Sequence, residues 1–186
     1  IDDYDVIDLR LDELRKQIAL VPQEGYLFTN TLTENIRFGN PNSTIKEVKE
    51  SANQARMADD IKGFPQGFDT LVGERGITLS GGQRQRTALA RALLINAKII
   101  VLDDALASVD NKTASAILKT IRNQFNRTIL MISHQLSAAA ACDRILVMNE
   151  GKIVQEGTHQ NLINKDGLYK SMWEREKAKE KIQSDD

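Results

Sequence analysis

Four short apolar runs punctuate the chain: "QIALV" (17–21), "KIIVL" (98–102), "TILMI" (128–132) and "RILVM" (144–148). Compact runs of branched residues without polar alternation read as buried strands. Helical patterns separate them, which predicts a mostly parallel sheet with crossover helices. A further "KIVQEG" follows "NEG", so residues 144–156 read as two strands joined by a turn at Asn149 to Gly151.

Between residues 43 and 94 the period changes. Ile45, Val48, Ala52, Ala55, Ala58 and Ile61 recur at helical spacing, and Thr44 with Glu47 forms a capping-box start. "KGFPQGFDTLVGERG" (62–76) is rich in glycine and reads as irregular. A second helix, "GGQRQRTALARALL" (81–94), carries Ala88, Leu89, Ala92 and Leu93 on one face. The block shows no strand signal, so it reads as a helical subdomain inserted into an α/β core. The predicted division is 1–41 and 95–159 for the two parts of the core, 42–94 for the insertion, and 160–186 for a charged tail, helical at first and frayed at its end.

Composition narrows the partners. With 186 residues, 41% of them hydrophobic, the chain can bury one core or two small ones. Its 25 basic and 26 acidic residues leave a net charge of −1, which gives no bulk attraction to nucleic acid or anionic lipid. The single cysteine, Cys142, cannot form an internal disulfide and fits a reducing compartment as a small core filler. No apolar stretch approaches the ~18 to 20 residues that span a bilayer.

Candidate chemistry sits where the strands end. In parallel α/β sheets, ligands gather outside the carboxyl ends of the strands. Gln23 follows "IALVP", Asp103 and Asp104 follow "IIVL", and His134 follows "LMIS". Singly, each has an ordinary role as a loop residue, helix cap or surface group; their convergence on one edge argues for a site. "LSGGQ" (79–83) adds a helix start, with Ser80 as N-cap and Gln83 completing a capping box. Capping does not account for Gly81 and Gly82, since glycine costs a helix up to ~1 kcal/mol relative to alanine. Two in succession imply close backbone approach, and bare amides at a helix N-terminus suit a phosphate.

"LSGGQRQR" followed by "IIVLDDALASVD" resembles the signature motif, Walker B strand and D-loop of an ATP-binding-cassette (ABC) ATPase. "VPQE" is similar to its Q-loop and "ISHQLS" to its switch-histidine loop, all in the family's order. "GYLFTNTLTENIRFG" and "LVGERG" resemble the branch of exporters whose nucleotide-binding domain is fused to a membrane domain. In that branch the "GERG" segment lies near the coupling helices, although Glu74 and Arg75 also read as a solvated loop pair.

The resemblance implies a P-loop NTPase-like core that uses ATP and Mg²⁺. Asp103 would hold the metal, largely through water. Gln23 would complete that shell and sense the γ-phosphate, and His134 would orient the attacking water. Ser80, Gly81, Gly82 and Gln83 would act in trans on ATP held by a second nucleotide-binding domain, with Asp110 connecting the two sites. The implied partners are that second domain and a transmembrane domain of the same chain, at the cytoplasmic face of the cell membrane, with no nucleic acid.

Two departures matter. G-x-x-x-x-G-K-[ST] occurs nowhere in the chain, and the family carries it upstream of the strand where this sequence starts. The chain is therefore expected to be the C-terminal part of a longer protein, binding ATP poorly and hydrolysing none by itself. The second departure is Asp104, where efficient family members have glutamate. Aspartate is one methylene shorter, and the resemblance implies the subunit with the degenerate site of a heterodimer, since in the family such a substitution is typical of one subunit of heterodimeric exporters. An ATP-controlled binding or regulatory protein, or a soluble ABC ATPase, are the competing readings.

Overall fold

The computed structural model describes residues 1–73, 77–124 and 127–184. In chain order the elements are α1 (Leu11–Lys16), β1 (Ile18–Val21), β2 (Asn30–Thr31), α2 (Leu32–Arg37), α3 (Ile45–Gln54), α4 (Ala58–Lys62), β3 (Leu71–Val72), α5 (Gly81–Leu94), β4 (Ile99–Asp103), α6 (Asn111–Gln124) and β5 (Thr128–Ile132). They form one compact unit, residues 1–132. A second unit, 133–186, holds α7 (Leu136–Ala139), β6 (Ile145–Asn149), β7 (Lys152–Gly157), α8 (His159–Ile163) and α9 (Leu168–Ser184).

The first unit is an α/β sheet with an inserted helical block. Its strands are parallel in the order β1-β4-β5, with Val21 beside Leu102 and Asp103 beside Ile132. Pleating sends Val21, Ile100 and Leu102 to one face, where they meet Leu89 and Leu93 of α5 and Ile117 and Ile121 of α6 in a single core. The other face carries Leu20, Leu130 and Ile132, all half exposed or more. Uniformly apolar strands are thus covered on one side only, which composition could not distinguish from burial on both.

The helical block departs from the sequence pattern in two places. The run from Ile45 to Ile61 is broken into α3 and α4 at Arg56, whose φ is +59°. Arg56 N–H donates to the Asn53 carbonyl (2.9 Å) and Met57 N–H to that of Ala52 (3.0 Å). That pair of bonds is a Schellman termination, and burying Met57 beside Ala52 holds it without glycine. Second, Leu71–Val72 is a strand, antiparallel to Asn30–Thr31 across the insertion's edge, where the sequence reads as irregular. Two residues are too few to show an alternation.

In the second unit, β6 pairs with β7 as an antiparallel hairpin rather than lengthening the parallel sheet. Glu150 (φ +49°) and Gly151 (φ +75°) form its two-residue loop, and so short a loop permits only antiparallel return. Ile145 and Val147 face a small core of Leu136, Leu162 and Tyr169, while Leu146 and Met148 are exposed. The tail beyond Gln160 is largely helical in α8 and α9; its last two residues lie outside the described residues.

Candidate functional site

The β1–β4 register carries both chain continuations past the same sheet edge. Gln23 stands two residues beyond Val21, and Asp103 closes β4 opposite Ile132. Asp103 lies on the open face, in the alternation of Ile99 and Val101. Asp104 does not continue that alternation: its φ is +45°. Its N–H still donates to the Ile132 carbonyl (2.9 Å), and its own carbonyl accepts from Ala107 N–H (3.1 Å). Aspartate tolerates this left-handed backbone better than most residues. Both carboxylates are half buried, and among the described residues no protein donor reaches either.

The N-terminus of α5 is built by local hydrogen bonds. Ser80 Oγ accepts from Gln83 N–H (3.2 Å), and Gln83 Oε1 accepts from Ser80 N–H (2.9 Å), the two halves of a capping box. Gln83 Nε2 then donates to Asp60 Oδ1 (2.9 Å), while the other oxygen of Asp60 pairs with Arg86 (2.7 Å) in a shielded position. Asp60, which the sequence pattern did not single out, ties α4 to the start of α5.

The glycine pair has an explanation inside the chain. A Cβ on Gly82 would stand 2.8 Å from the Ser108 carbonyl oxygen, and one on Gly81 would lie 3.2 Å from the Ser108 side chain. Close approach is required, as the sequence implies, but the approaching backbone includes the turn after β4. Gly82→Ala should therefore lower the thermal unfolding midpoint before any ligand is added; an unchanged midpoint would show that the turn can yield.

Gln85, one turn further along α5, is a functional candidate that motif reading missed. It is 5% exposed and bonded to three distant backbone groups: the Gln23 carbonyl (3.1 Å), the Ser108 N–H (2.9 Å) and, at longer reach, the Asp104 carbonyl (3.5 Å). The available signal was one uncharged amide between Arg84 and Arg86 on the glycine face of the helix. Gly25 meets the same helix: its Cβ position is 2.7 Å from the Arg84 carbonyl oxygen. Gln23, Gly25, Tyr26, Leu79, Arg84 and Ser108 line an open groove of about 790 Å³ between these segments.

The remaining candidates are placed more simply. Asp110 is the N-cap of α6, accepting from Thr113 N–H (2.9 Å), and that backbone bond holds its carboxyl below the usual range. His134 belongs to the second compact unit. There Ser133 Oγ accepts from Gln135 N–H (3.0 Å), and the Glu176 carboxylate of α9 accepts from Leu136 and Ser137 N–H (3.1 and 3.2 Å). The C-terminal helix thus caps the turn that follows His134. Glu74 and Arg75 lie outside the described residues.

Comparison with known proteins decides the family. The ABC transporter family model matches residues 1–107, more than half of the chain. The chain belongs to the ABC transporter family. It is 44% identical over 180 residues to ABC transporter B family member 24, mitochondrial, of Arabidopsis thaliana, covering 96% of this chain and 26% of that protein. It is 45% identical over 172 residues to the multidrug resistance-like ATP-binding protein MdlA of Escherichia coli, covering 92% of this chain and 29% of that one. A solved bacterial Atm1-family ABC exporter with ATP bound superposes with a TM-score of 0.88 at 41% identity, over 95% of this chain and 31% of that one. The chain spans under a third of the length of each of these relatives. The likeness establishes a P-loop NTPase-like fold.

The donor set of this ABC transporter chain fits Mg²⁺ in kind. Carboxylate and amide oxygens are the ligands a hard cation takes, and Asp103 with Gln23 supplies them at one edge. Among the described residues no cluster of three or more metal-binding side chains forms, so the ion's other oxygens would come from water and phosphate.

Proposed function

We propose that this chain is part of the nucleotide-binding domain of an ABC exporter, in which ATP binding and hydrolysis at a head-to-tail dimer drive transmembrane export. The observation that carries the reading is the edge itself. The Gln23 segment and the Asp103–Asp104 pair leave adjacent parallel strands together, and one side chain of the LSGGQ-bearing helix hydrogen-bonds both backbones. Residues 1–41 and 95–159 form the α/β core in this reading, 42–94 the helical insertion and 160–186 the tail.

Each residue then has a role. Asp103 and Gln23 would hold Mg²⁺, which when bound would supply charge neutralisation for phosphoryl transfer. His134 hydrogen-bonds the γ-phosphate and orients water. Ser80, Gly81, Gly82 and Gln83 present the helix N-terminus to ATP held by a second domain, where N–H groups and helix dipole favour the anion. Asp110 fixes the turn that reaches the partner.

Asp104 makes this the degenerate subunit of a heterodimer. Its carboxylate stands roughly 1 Å short of the glutamate position, and a displacement of that size can cost ~10²-fold. The charge remains, so nucleotide and metal binding survive while chemistry slows. The same feature favours a second reading, an ATP-controlled regulatory subunit whose hydrolysis is incidental; transport by the assembled protein separates the two.

The membrane domain is proposed as a partner of the surface around Tyr26, Phe28 and Phe38. Tyr26 meets Phe28 edge to face at 5.2 Å and Phe28 meets Phe38 at a tilt at 4.7 Å, with Tyr26 and Phe38 well exposed, and an exposed aromatic patch marks an interaction site. Among the described residues no helix is long and apolar enough to cross a membrane. In this reading a transmembrane domain of the same protein holds the chain at the cytoplasmic face of a membrane.

The test is Asp103→Asn in the full-length protein with its partner in lipid vesicles. Mg²⁺-dependent ATP retention at this subunit's site should fall about 10- to 100-fold, with folding intact. Retention equal to the parent's would remove Asp103 from the metal site.

A further inference from the structure

The amide of Gln85 has its orientation fixed by its neighbours. A backbone N–H can only donate and a carbonyl can only accept, so Oε1 must face Ser108 and Nε2 must face Gln23 and Asp104. A flipped amide would lose all three bonds. The partners lie 62, 19 and 23 residues away along the chain, so the arrangement is tertiary and not a by-product of helix geometry. Ser108 also sits against Gly81 and Gly82, one turn before Gln85 on the same helix face.

We propose that Gln85 is a positioning residue that locks the turn after β4 and the start of α5 to the Gln23 and Asp104 segments, coupling the two ATP sites of the dimer. The inference rests on the function proposed above. In that scheme Ser108, Gly81 and Gly82 belong to the surface that meets the partner's nucleotide, whereas Gln23 and Asp104 belong to this subunit's own site. Among the described residues, no other side chain hydrogen-bonds both groups. Gln85 acts through the backbones it holds. A shift of the Ser108 turn as the partner closes pulls on Oε1, and the same rigid amide carries the displacement to the carbonyls of Gln23 and Asp104. Glutamate of equal length cannot replace it, because it offers no donor to either carbonyl.

The test uses the complete transporter with its partner subunit and compares the parent with Gln85→Met and Gln85→Glu. Methionine keeps length and apolar volume but makes none of the bonds; glutamate keeps only the acceptor for Ser108. Both variants should lower kcat for ATP about tenfold with KM little changed, because positioning is lost while the binding surface stays, and the thermal midpoint should fall only by the cost of the unpaired buried groups. A parental kcat in either folded variant would overturn the proposal. So would a parallel loss of kcat, ATP affinity and thermal midpoint, or failure of both variants to fold, since these indicate a packing role. A parent complex that hydrolyses no ATP would instead sink the functional reading beneath it.

Discussion

Asp104→Glu should raise ATP turnover at this subunit's site about 10- to 100-fold, measured in a heterodimer whose other site has been inactivated. The added methylene carries the carboxylate roughly 1 Å further from a backbone that stays in place. A general base must come within ~2.6 to 3.2 Å of its proton, so this is the range over which reach decides rate. The backbone at 104 sets a cost. Its φ of +45° suits aspartate better than glutamate, so the variant should also be slightly less stable, by about 1 kcal/mol or less. Faster hydrolysis with a slightly lower melting midpoint is the combined signature. Unchanged turnover would mean that Asp104 is not what limits this site.

Ser80→Asp has an effect of similar size in the opposite direction. Aspartate caps a helix as well as serine does, so Gln83 N–H keeps an acceptor and α5 keeps its start. Its charge, however, lies where the reading puts another subunit's terminal phosphate. Two like unit charges ~4 Å apart repel by about 4 kcal/mol at an effective dielectric of 20, and hydration will absorb part of that. A drop in the partner site's turnover of at least ~100-fold is expected. Ser80→Asn keeps a cap without the charge and should stay near the parent. Equal loss in both variants would locate the effect in the fold and not in electrostatics.

Legibility in the sequence followed the range of the interaction. Both capping boxes, at Thr44–Glu47 and Ser80–Gln83, were readable because each depends on residues three apart. The apolar runs marked the strands, and Ala88, Leu89, Ala92 and Leu93 of α5 are buried as predicted, but so are Thr87, Ala90 and Leu94, so the helix is covered on more than one face. The break at Arg56 was not readable: tertiary burial of Met57 sustains a left-handed residue that carries no glycine signal. The β6–β7 hairpin was readable from the turn at Asn149 to Gly151, but the separation of β6 from the three-stranded parallel sheet was not, because an apolar run reports burial and not pairing. Gly81 and Gly82 were recognised as demanding close approach, yet their neighbour Ser108 lies over twenty residues on and could not be named. Gln85 was missed for the same reason, since its importance rests on bonds across as many as 62 positions.

The central claim is that the N-terminus of α5 closes on ATP held by another subunit. Its most direct measurement is the spin-label distance between the two nucleotide-binding halves of the full-length protein, with hydrolysis blocked at the partner site, recorded with and without Mg²⁺-ATP. The parent and Ser80→Asn should shorten to a single close distance on adding nucleotide, while Ser80→Asp should stay at the open distance. Closure of Ser80→Asp to the parental distance at the same ATP concentration would contradict the claim.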